Sequence, residues 1–156
     1  MTSQSRESIA SAEELVVDWS QTPAWLVPVP SHEDREFWEG ARRGELRIQL
    51  CADCGLHQHY PRYLCMHCGS EHVGFVSASG EGVVYSFTVI RKNGVPPFNE
   101  RVPFVVAAID LAEAGARMLA TKPLLAPEHA RIGLRVRAAF RAVNEELGFV
   151  DFEAAE

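Results

Sequence analysis

The stretch CADCGLHQHYPRYLCMHCGS, residues 51–70, decides the fold of this chain. It contains all four cysteines of the sequence, as two Cys-x-x-Cys pairs that are each followed at once by a glycine. A tight turn across each pair directs two thiolates at a common point, and glycine supplies the positive φ that lets the backbone wrap close to a metal. The spacing predicts a zinc ribbon with four ligands, Cys51, Cys54, Cys65 and Cys68.

Four sulfur ligands close a tetrahedral shell and leave no position for water or substrate, so this pattern predicts a structural zinc. Three alternatives stay open from the residues alone: disulfides, a thioredoxin-like redox pair, and iron in a rubredoxin-like electron carrier. With four thiolates available, the histidines of the ribbon are interpreted as surface polar groups; they are His57, His59, His67 and His72.

Size and charge limit the classes of function. A chain of 156 residues with 47% hydrophobic content is enough for one ordinary domain or two small ones. Its formal charge of −6 disfavours bulk nucleic-acid binding. No run of residues approaches a membrane span, and the N-terminus shows no secretory signal. With reduced cysteines, these features predict a cytoplasmic protein.

The chain divides into four predicted segments. Residues 1–30 read as a flexible arm, because Ser, Glu and Ala dominate its start and prolines keep its end extended. Residues 31–44 read as a helix with Ser31 as N-cap and with Phe37, Trp38 and Ala41 on an apolar face. Residues 45–77 form the ribbon, entered by a strand in which Leu46, Ile48 and Leu50 alternate with polar residues.

Residues 78–156 contain five β-like segments with a helical turn between the third and fourth. This order fits an oligonucleotide/oligosaccharide-binding (OB) barrel. The predicted fold is therefore mainly β: an N-terminal helix, a rubredoxin-like zinc ribbon and a five-stranded OB barrel. The predicted strands are Val83–Ile90, Pro103–Ala112, Ala116–Thr121, Leu134–Ala142 and Leu147–Glu153.

The ordered motifs carry a resemblance over about residues 31–152. A helix with FW, then GEL and the ribbon, GEGVVYSFTVI, VPFVVAAIDLAEAGARMLAT and RIGLRVRAAF resemble the zinc-ribbon and OB-fold acyl-CoA-associated family, first catalogued as a domain of unknown function. The resemblance implies an accessory protein beside a thiolase-like enzyme or a hot-dog-fold enoyl-CoA hydratase. It also implies that the protein holds acyl-CoA and helps to complete the partner's active site. The long loop KNGVPPFNERVPF and the long N-terminal arm depart from the family pattern.

The function predicted on this basis is an accessory subunit that binds acyl-CoA and docks on a separate partner chain as a hetero-oligomer. An independent enzyme is not expected, because the metal shell is saturated and no serine lies in a Gly-x-Ser-x-Gly elbow. A single-stranded nucleic-acid-binding module and a rubredoxin-like electron carrier are the alternatives. No catalytic residue is predicted, and the residues predicted to bind acyl-CoA are Tyr60, Arg62, Tyr63, Arg91, Lys92 and Phe98.

Arg135, Arg137 and Arg141 form a basic stripe on the fourth predicted barrel strand. This stripe is interpreted as a surface for a partner or ligand, or as the solvated outer face of the barrel.

Overall fold

A computed structural model describes residues 27–96, 98–120 and 125–155. Most of the predicted arm, residues 1–30, lies outside the described residues. Within these ranges, one helix is followed by eight strands, with a short 3₁₀ helix at Phe98–Glu100. The elements are α1 (Arg35–Arg42), β1 (Arg47–Cys51), β2 (His57–Gln58), β3 (Val73–Ser77), β4 (Glu81–Ile90), β5 (Phe104–Leu111), β6 (Arg117–Ala120), β7 (Arg135–Ala142) and β8 (Gly148–Ala154).

Helix α1 is shorter than the predicted segment and starts later. Its N-cap is Asp34, so the prediction that Ser31 caps the helix is wrong. The Ser31 N–H instead donates to Asp34 Oδ1 at 2.6 Å, which closes a turn just before the helix. The apolar face is as predicted, because Phe37 and Ala41 are buried and Trp38 packs against the core.

The ribbon is a three-stranded antiparallel sheet in the order β2-β1-β3. Strand β1 pairs with β3 along its whole length, from Arg47 opposite Ser77 to Cys51 opposite Val73. The same strand pairs with the two residues of β2 on its other side, Gln49 opposite Gln58. Because β1 is the central strand, it delivers Cys51 rigidly to the first metal-binding turn.

The C-terminal half is a five-stranded antiparallel sheet in the order β6-β5-β4-β7-β8. Strands β6 and β8 also contact each other, so the sheet curls into a nearly closed barrel. This order confirms the predicted OB fold. The register between β4 and β5 shifts at Tyr85, where a bulge bends the long strand β4.

Helix, ribbon and barrel share one hydrophobic core. Leu46 and Ile48 of the ribbon, Phe37 of the helix, and Val84 and Phe152 of the barrel are all buried in the same cluster. Because an apolar side chain gains about 1.5–3 kcal/mol when it is fully buried, this shared cluster supports the ribbon in addition to any metal.

The basic stripe on β7 is largely engaged by the protein itself. Arg137 pairs with Glu153 of β8 at 2.6 Å, and the Arg141 guanidinium lies 5.5 Å from the centre of the Phe149 ring. Burial lowers the pKa of Arg141. Arg135 and Arg137 are both exposed. The role of this stripe in binding a partner or ligand stays a prediction.

In the part of the chain that the structure describes, no helix combines the length and the apolar character that crossing a membrane requires.

Candidate metal centre and ribbon surface

The two Cys-x-x-Cys segments form matching turns. The Gly55 N–H donates to Cys51 O, and the Gly69 N–H donates to Cys65 O, both at 2.9 Å. Gly55 has φ 72° and Gly69 has φ 77°, values that favour glycine over residues with a side chain. The predicted reason for a glycine after each pair is therefore confirmed.

The turns bring the four sulfur atoms together. Cys51 Sγ lies 3.7 Å from Cys68 Sγ, and Cys54 Sγ lies 3.6 Å from Cys65 Sγ. All four sulfurs lie within 4.8 Å of one another. A tetrahedral zinc with Zn–S bonds of about 2.3 Å requires S–S separations of about 3.8 Å, so this cluster fits a Cys₄ zinc ion.

The thiols of this cluster do not titrate alike. The Cys54 N–H, as the largest cause, lowers the pKa of Cys51 to about 6. The Ser70 N–H lowers the pKa of Cys68, but burial and the three neighbouring thiols outweigh it and raise that pKa to about 12. A dication held among the four sulfurs would stabilise every thiolate at once, because metal ligands must be deprotonated.

A polar contact outside the sulfur cluster ties the two turns to each other. Asp53, inside the first Cys-x-x-Cys pair, accepts a hydrogen bond from Ser70 Oγ at 2.5 Å and lies 3.1 Å from His72 Nδ1. Hydrogen bonds from Ser70 and then His72 lower the pKa of the Asp53 carboxyl. His72 is exposed, in keeping with its interpretation as a surface polar group, and its contact with Asp53 helps to hold the two turns together.

Two buried glutamines support the ribbon, and the sequence reasoning missed both. Gln49 Oε1 accepts from the Arg62 N–H at 2.8 Å and from Gln58 Nε2 at 2.7 Å, while Gln49 Nε2 donates to Arg62 O at 3.0 Å. Gln58 Oε1 accepts from the Met66 N–H at 2.8 Å, and Gln58 Nε2 also lies 3.3 Å from Leu64 O. These side chains satisfy the backbone of residues 62–66 from the inside, as a neighbouring strand would.

His59 is buried, so its interpretation as a surface polar group is wrong. The side chain is 8% exposed and packs against Phe37 and Tyr60, with ring centroids 4.9 and 4.2 Å away. Burial lowers the pKa of His59 from 6.5 to about 4. His59 is therefore a neutral core residue at neutral pH.

Acid should destabilise the fold through His59. The unfolded chain takes up this proton near pH 6.5 and the folded chain only near pH 4, so between these values the unfolded state binds more protons. Stability therefore falls as the pH falls through this window, by about 1 kcal/mol from pH 6.5 to 5.5. Urea unfolding at several pH values, in the wild type and in His59→Phe, measures the effect.

The phenylalanine variant should show a flatter dependence on pH than the wild type, because its ring cannot be protonated. His129→Gln, at an exposed position in the loop before β7, is the matched control and should keep the wild-type slope. Acid also protonates metal-binding thiolates, but it does so in every variant, so the difference between slopes isolates His59. Equal slopes in the wild type and His59→Phe would contradict the prediction.

The predicted acyl-CoA residues fall into two groups. Tyr60, Arg62 and Tyr63 lie in one segment of the ribbon, where Arg62 and Tyr63 line a groove with residues just before α1. The remaining three lie in the loop between β4 and β5, where Arg91 and Lys92 are exposed and Phe98 is half-buried. The ribbon contacts the barrel at the other end of the β4–β5 hairpin, where the His57 N–H donates to Ala114 O at 2.9 Å. The structure does not bring the six residues into one cluster, and their role in binding acyl-CoA stays a prediction.

Two family models match this chain in the order of its two structural units. The rubredoxin-like zinc ribbon domain of ChsH2 matches residues 38–73, and the C-terminal OB-fold domain of ChsH2 matches residues 75–141. The chain belongs to the ChsH2 (DUF35) family. This membership confirms the resemblance seen in the sequence, the zinc-ribbon assignment and the OB fold.

Two similar proteins have names that describe a role in an enzyme or an assembly. A probable enoyl-CoA hydratase alpha subunit of Thermomonospora curvata is 36% identical over 137 residues, which are 86% of this chain and 42% of that protein. This chain therefore spans less than half the length of that relative. A DUF35 domain-containing scaffold protein of Methanocaldococcus jannaschii is 33% identical over 99 residues, 62% of this chain and 67% of that protein.

A solved structure also matches. The chain is similar to one in the structure titled "Ltp2-ChsH2(DUF35) aldolase", at 33% sequence identity and a TM-score of 0.70. The match covers 83% of this chain and 100% of the other. The ribbon and barrel of this ChsH2-family chain thus correspond to a complete chain of a solved aldolase structure.

Proposed function

We propose that this chain is an accessory subunit of an acyl-CoA enzyme, which is either a thiolase-like enzyme or an enoyl-CoA hydratase and is a separate polypeptide. The observation that carries the proposal is the match over the full length of a chain in the Ltp2-ChsH2(DUF35) aldolase structure. The names of relatives as a hydratase alpha subunit and as a scaffold protein support the same role.

The chemistry of the metal centre is consistent with a supporting role. Four cysteine ligands fill the shell of a zinc ion, so the site offers no open coordination position for a nucleophilic water. The chain's own cysteines are all engaged there. The zinc would fix the ribbon, and the partner would supply the catalytic groups.

Binding of acyl-CoA is the finer part of the proposal. A CoA ligand needs cations for its phosphates and apolar surface for its pantetheine and acyl groups. Arg91 and Lys92 offer exposed cations in the same loop as Phe98, and Tyr60 and Tyr63 offer apolar surface on the ribbon. Calorimetric titration with an acyl-CoA, with and without the partner enzyme, tests this part separately.

Purification of the tagged chain from its source organism tests the main proposal. A thiolase-like enzyme or an enoyl-CoA hydratase should co-purify in a fixed ratio, identified by mass spectrometry. Adding the chain to that purified enzyme should raise its turnover of acyl-CoA by roughly ten- to a hundredfold, because small errors in active-site geometry have effects of that size. An enzyme equally active without the chain, or no enzyme in the purified material, would refute the proposal.

A further inference from the structure

Residues 60–66 form a loop, here called the knuckle loop. Polar groups fill its inner side and apolar side chains lie on its outer side, the reverse of the usual arrangement. Its inner side is filled by the polar amides of Gln49 and Gln58, which are 5% and 0% exposed. Its outer side carries most of its apolar side chains in solvent. The exposed fractions are 51% for Tyr60, 70% for Tyr63, 48% for Leu64 and 55% for Met66.

This inversion has a physical cost that folding alone does not explain. Leaving large apolar side chains in water forgoes about 1.5–3 kcal/mol for each that could have been buried. The loop nevertheless has a fixed shape, because the glutamine side chains bind the Arg62 and Met66 N–H groups and the Arg62 and Leu64 carbonyls. A rigid, exposed apolar surface is pre-organised for a partner, since little conformational entropy is lost when it binds.

The composition of the loop fits a protein partner. Tyrosine, methionine and arginine are enriched at protein–protein interfaces, and lysine and glutamate are depleted. The knuckle loop contains two tyrosines, a methionine and an arginine, and neither lysine nor glutamate. Tyr63 also lies near the start of α1, because it lines one groove together with Glu33 and Asp34.

A groove beside the knuckle loop provides an anchoring position. It has a volume of about 540 Å³ and lies between the loop and the start of α1, lined by Glu33, Asp34, Pro61, Tyr63 and Met66 among others. Arg62 also lines it, and among the described residues its guanidinium has no ion-pair partner. Because Glu33 and Asp34 line the same groove, charge complementarity favours a partner that brings a carboxylate to Arg62, a cation to the side of the groove with Glu33 and Asp34, and an apolar anchor between them.

We infer that the knuckle loop is the surface by which this chain docks on its partner enzyme. The partner presents an apolar side chain to the groove and an acidic group to Arg62. This inference rests on the proposed function, because it takes the partner to be the acyl-CoA enzyme. It assigns the contact to the ribbon rather than to the barrel.

The barrel offers a matched control surface. Among the barrel residues that the structure describes, the exposed large apolar ones are Val83, Tyr85, Val95, Leu119 and Ile132. The Arg117 guanidinium lies 3.6 Å from the ring centre of Tyr85, and Arg117 pairs with Asp110 at 2.5 Å. This set has a similar number of exposed apolar side chains, but its one aromatic ring already contacts a cation of the same chain.

The test uses the enzyme identified by co-purification, as a purified binding partner in surface plasmon resonance. The triple variant Tyr63→Ser, Leu64→Ser, Met66→Ser should raise Kd by roughly 30-fold or more, which is the size expected for interface hot spots. Arg62→Glu should also weaken binding, while Arg62→Lys retains part of it. The control variant Val83→Ser, Leu119→Ser, Ile132→Ser should bind like the wild type.

Zinc content and the melting temperature show whether the variants are folded, and they should be unchanged because the replaced side chains are exposed. If the wild type binds the enzyme and the knuckle-loop variant binds equally well, the docking surface is overturned and the accessory role stands. If the triple variant loses self-association or acyl-CoA affinity but not enzyme binding, a second copy or the ligand occupies the loop, and the inference is again overturned. If the wild type binds no enzyme, both fail.

Discussion

Replacing Cys65 with serine should remove the zinc and unfold the ribbon. Cys65 is buried and its sulfur lies 3.6 Å from Cys54 Sγ within the four-sulfur cluster. Structural Cys-rich sites contribute on the order of 10 kcal/mol of apparent binding free energy, which is folding free energy when the site does not exist in the unfolded chain. Because whole domains are stable by only about 5–15 kcal/mol, this loss is comparable with the entire stability of the protein.

Metal analysis and thermal unfolding by circular dichroism check this prediction. The wild type should carry one zinc per chain, and Cys65→Ser should carry little or none and lose its cooperative transition at the wild-type temperature. Met66→Ser, at the exposed neighbouring position, is the control and should keep both. A serine variant that still binds zinc and melts like the wild type would disprove the structural role.

The same measurement separates zinc from iron. Iron held by four thiolates absorbs visible light and colours a protein red, whereas zinc is colourless and redox-inactive. The sulfur geometry suits both metals. A red protein with iron in the metal analysis would therefore replace the zinc assignment with the rubredoxin-like electron carrier.

The sequence predicted the metal centre well because its chemistry is local. Two tight turns with a glycine at fixed spacing bring thiolates together whatever surrounds them, and Cys51 and Cys65 occupy equivalent positions in the two turns. The barrel could also be predicted from sequence, because alternation at the start of β7 and in the residue before it places Leu134 and Val136 inside, with 7% and 1% exposure.

The alternation of polar and apolar residues gave a wrong prediction in β1. Another part of the chain covers the face of this strand that was expected to contact solvent. Gln49 was predicted on the polar face of this strand, but it is 5% exposed and bonded to the backbone of Arg62. The knuckle loop covers that face, so a polar side chain is buried there with its hydrogen bonds satisfied. A pairing between residues 49 and 62 leaves no periodic signal in a single sequence. The burial of His59 escaped prediction for the same reason, since its neighbour Phe37 lies on the helix.

The ribbon is too small to bury enough surface by itself, and the core of the barrel supports it in addition to zinc. Leu46 and Ile48 are 2% and 0% exposed within the core that includes Val84 and Phe152 of the barrel. Sequence patterns identify which face of a strand is apolar, but they do not show which element covers it. The shared core implies that loss of the metal also weakens the barrel, so the two units should not unfold independently.

Replacing Gly148 with alanine should detach α1 from the barrel. Gly148 opens β8 and lies directly against the helix, and a Cβ placed there would overlap the Arg42 backbone and lie 2.5 Å from the Ala41 carbonyl carbon. Side chains can rotate away from such a contact, but helix backbone cannot. Overpacking typically costs 1–3 kcal/mol, so a clash with backbone should cost about 3 kcal/mol, or about 6–12 °C in Tm for a protein of this size.

Gly74→Ala is the matched control, because Gly74 also lies in a strand and a Cβ there has nothing within 4 Å. Neither glycine has a positive φ, so the contact with the helix is the feature that differs between the two positions. Thermal unfolding should therefore show a large loss for Gly148→Ala and little change for Gly74→Ala. Equal melting temperatures in all three proteins would mean that α1 does not pack on β8 in this way.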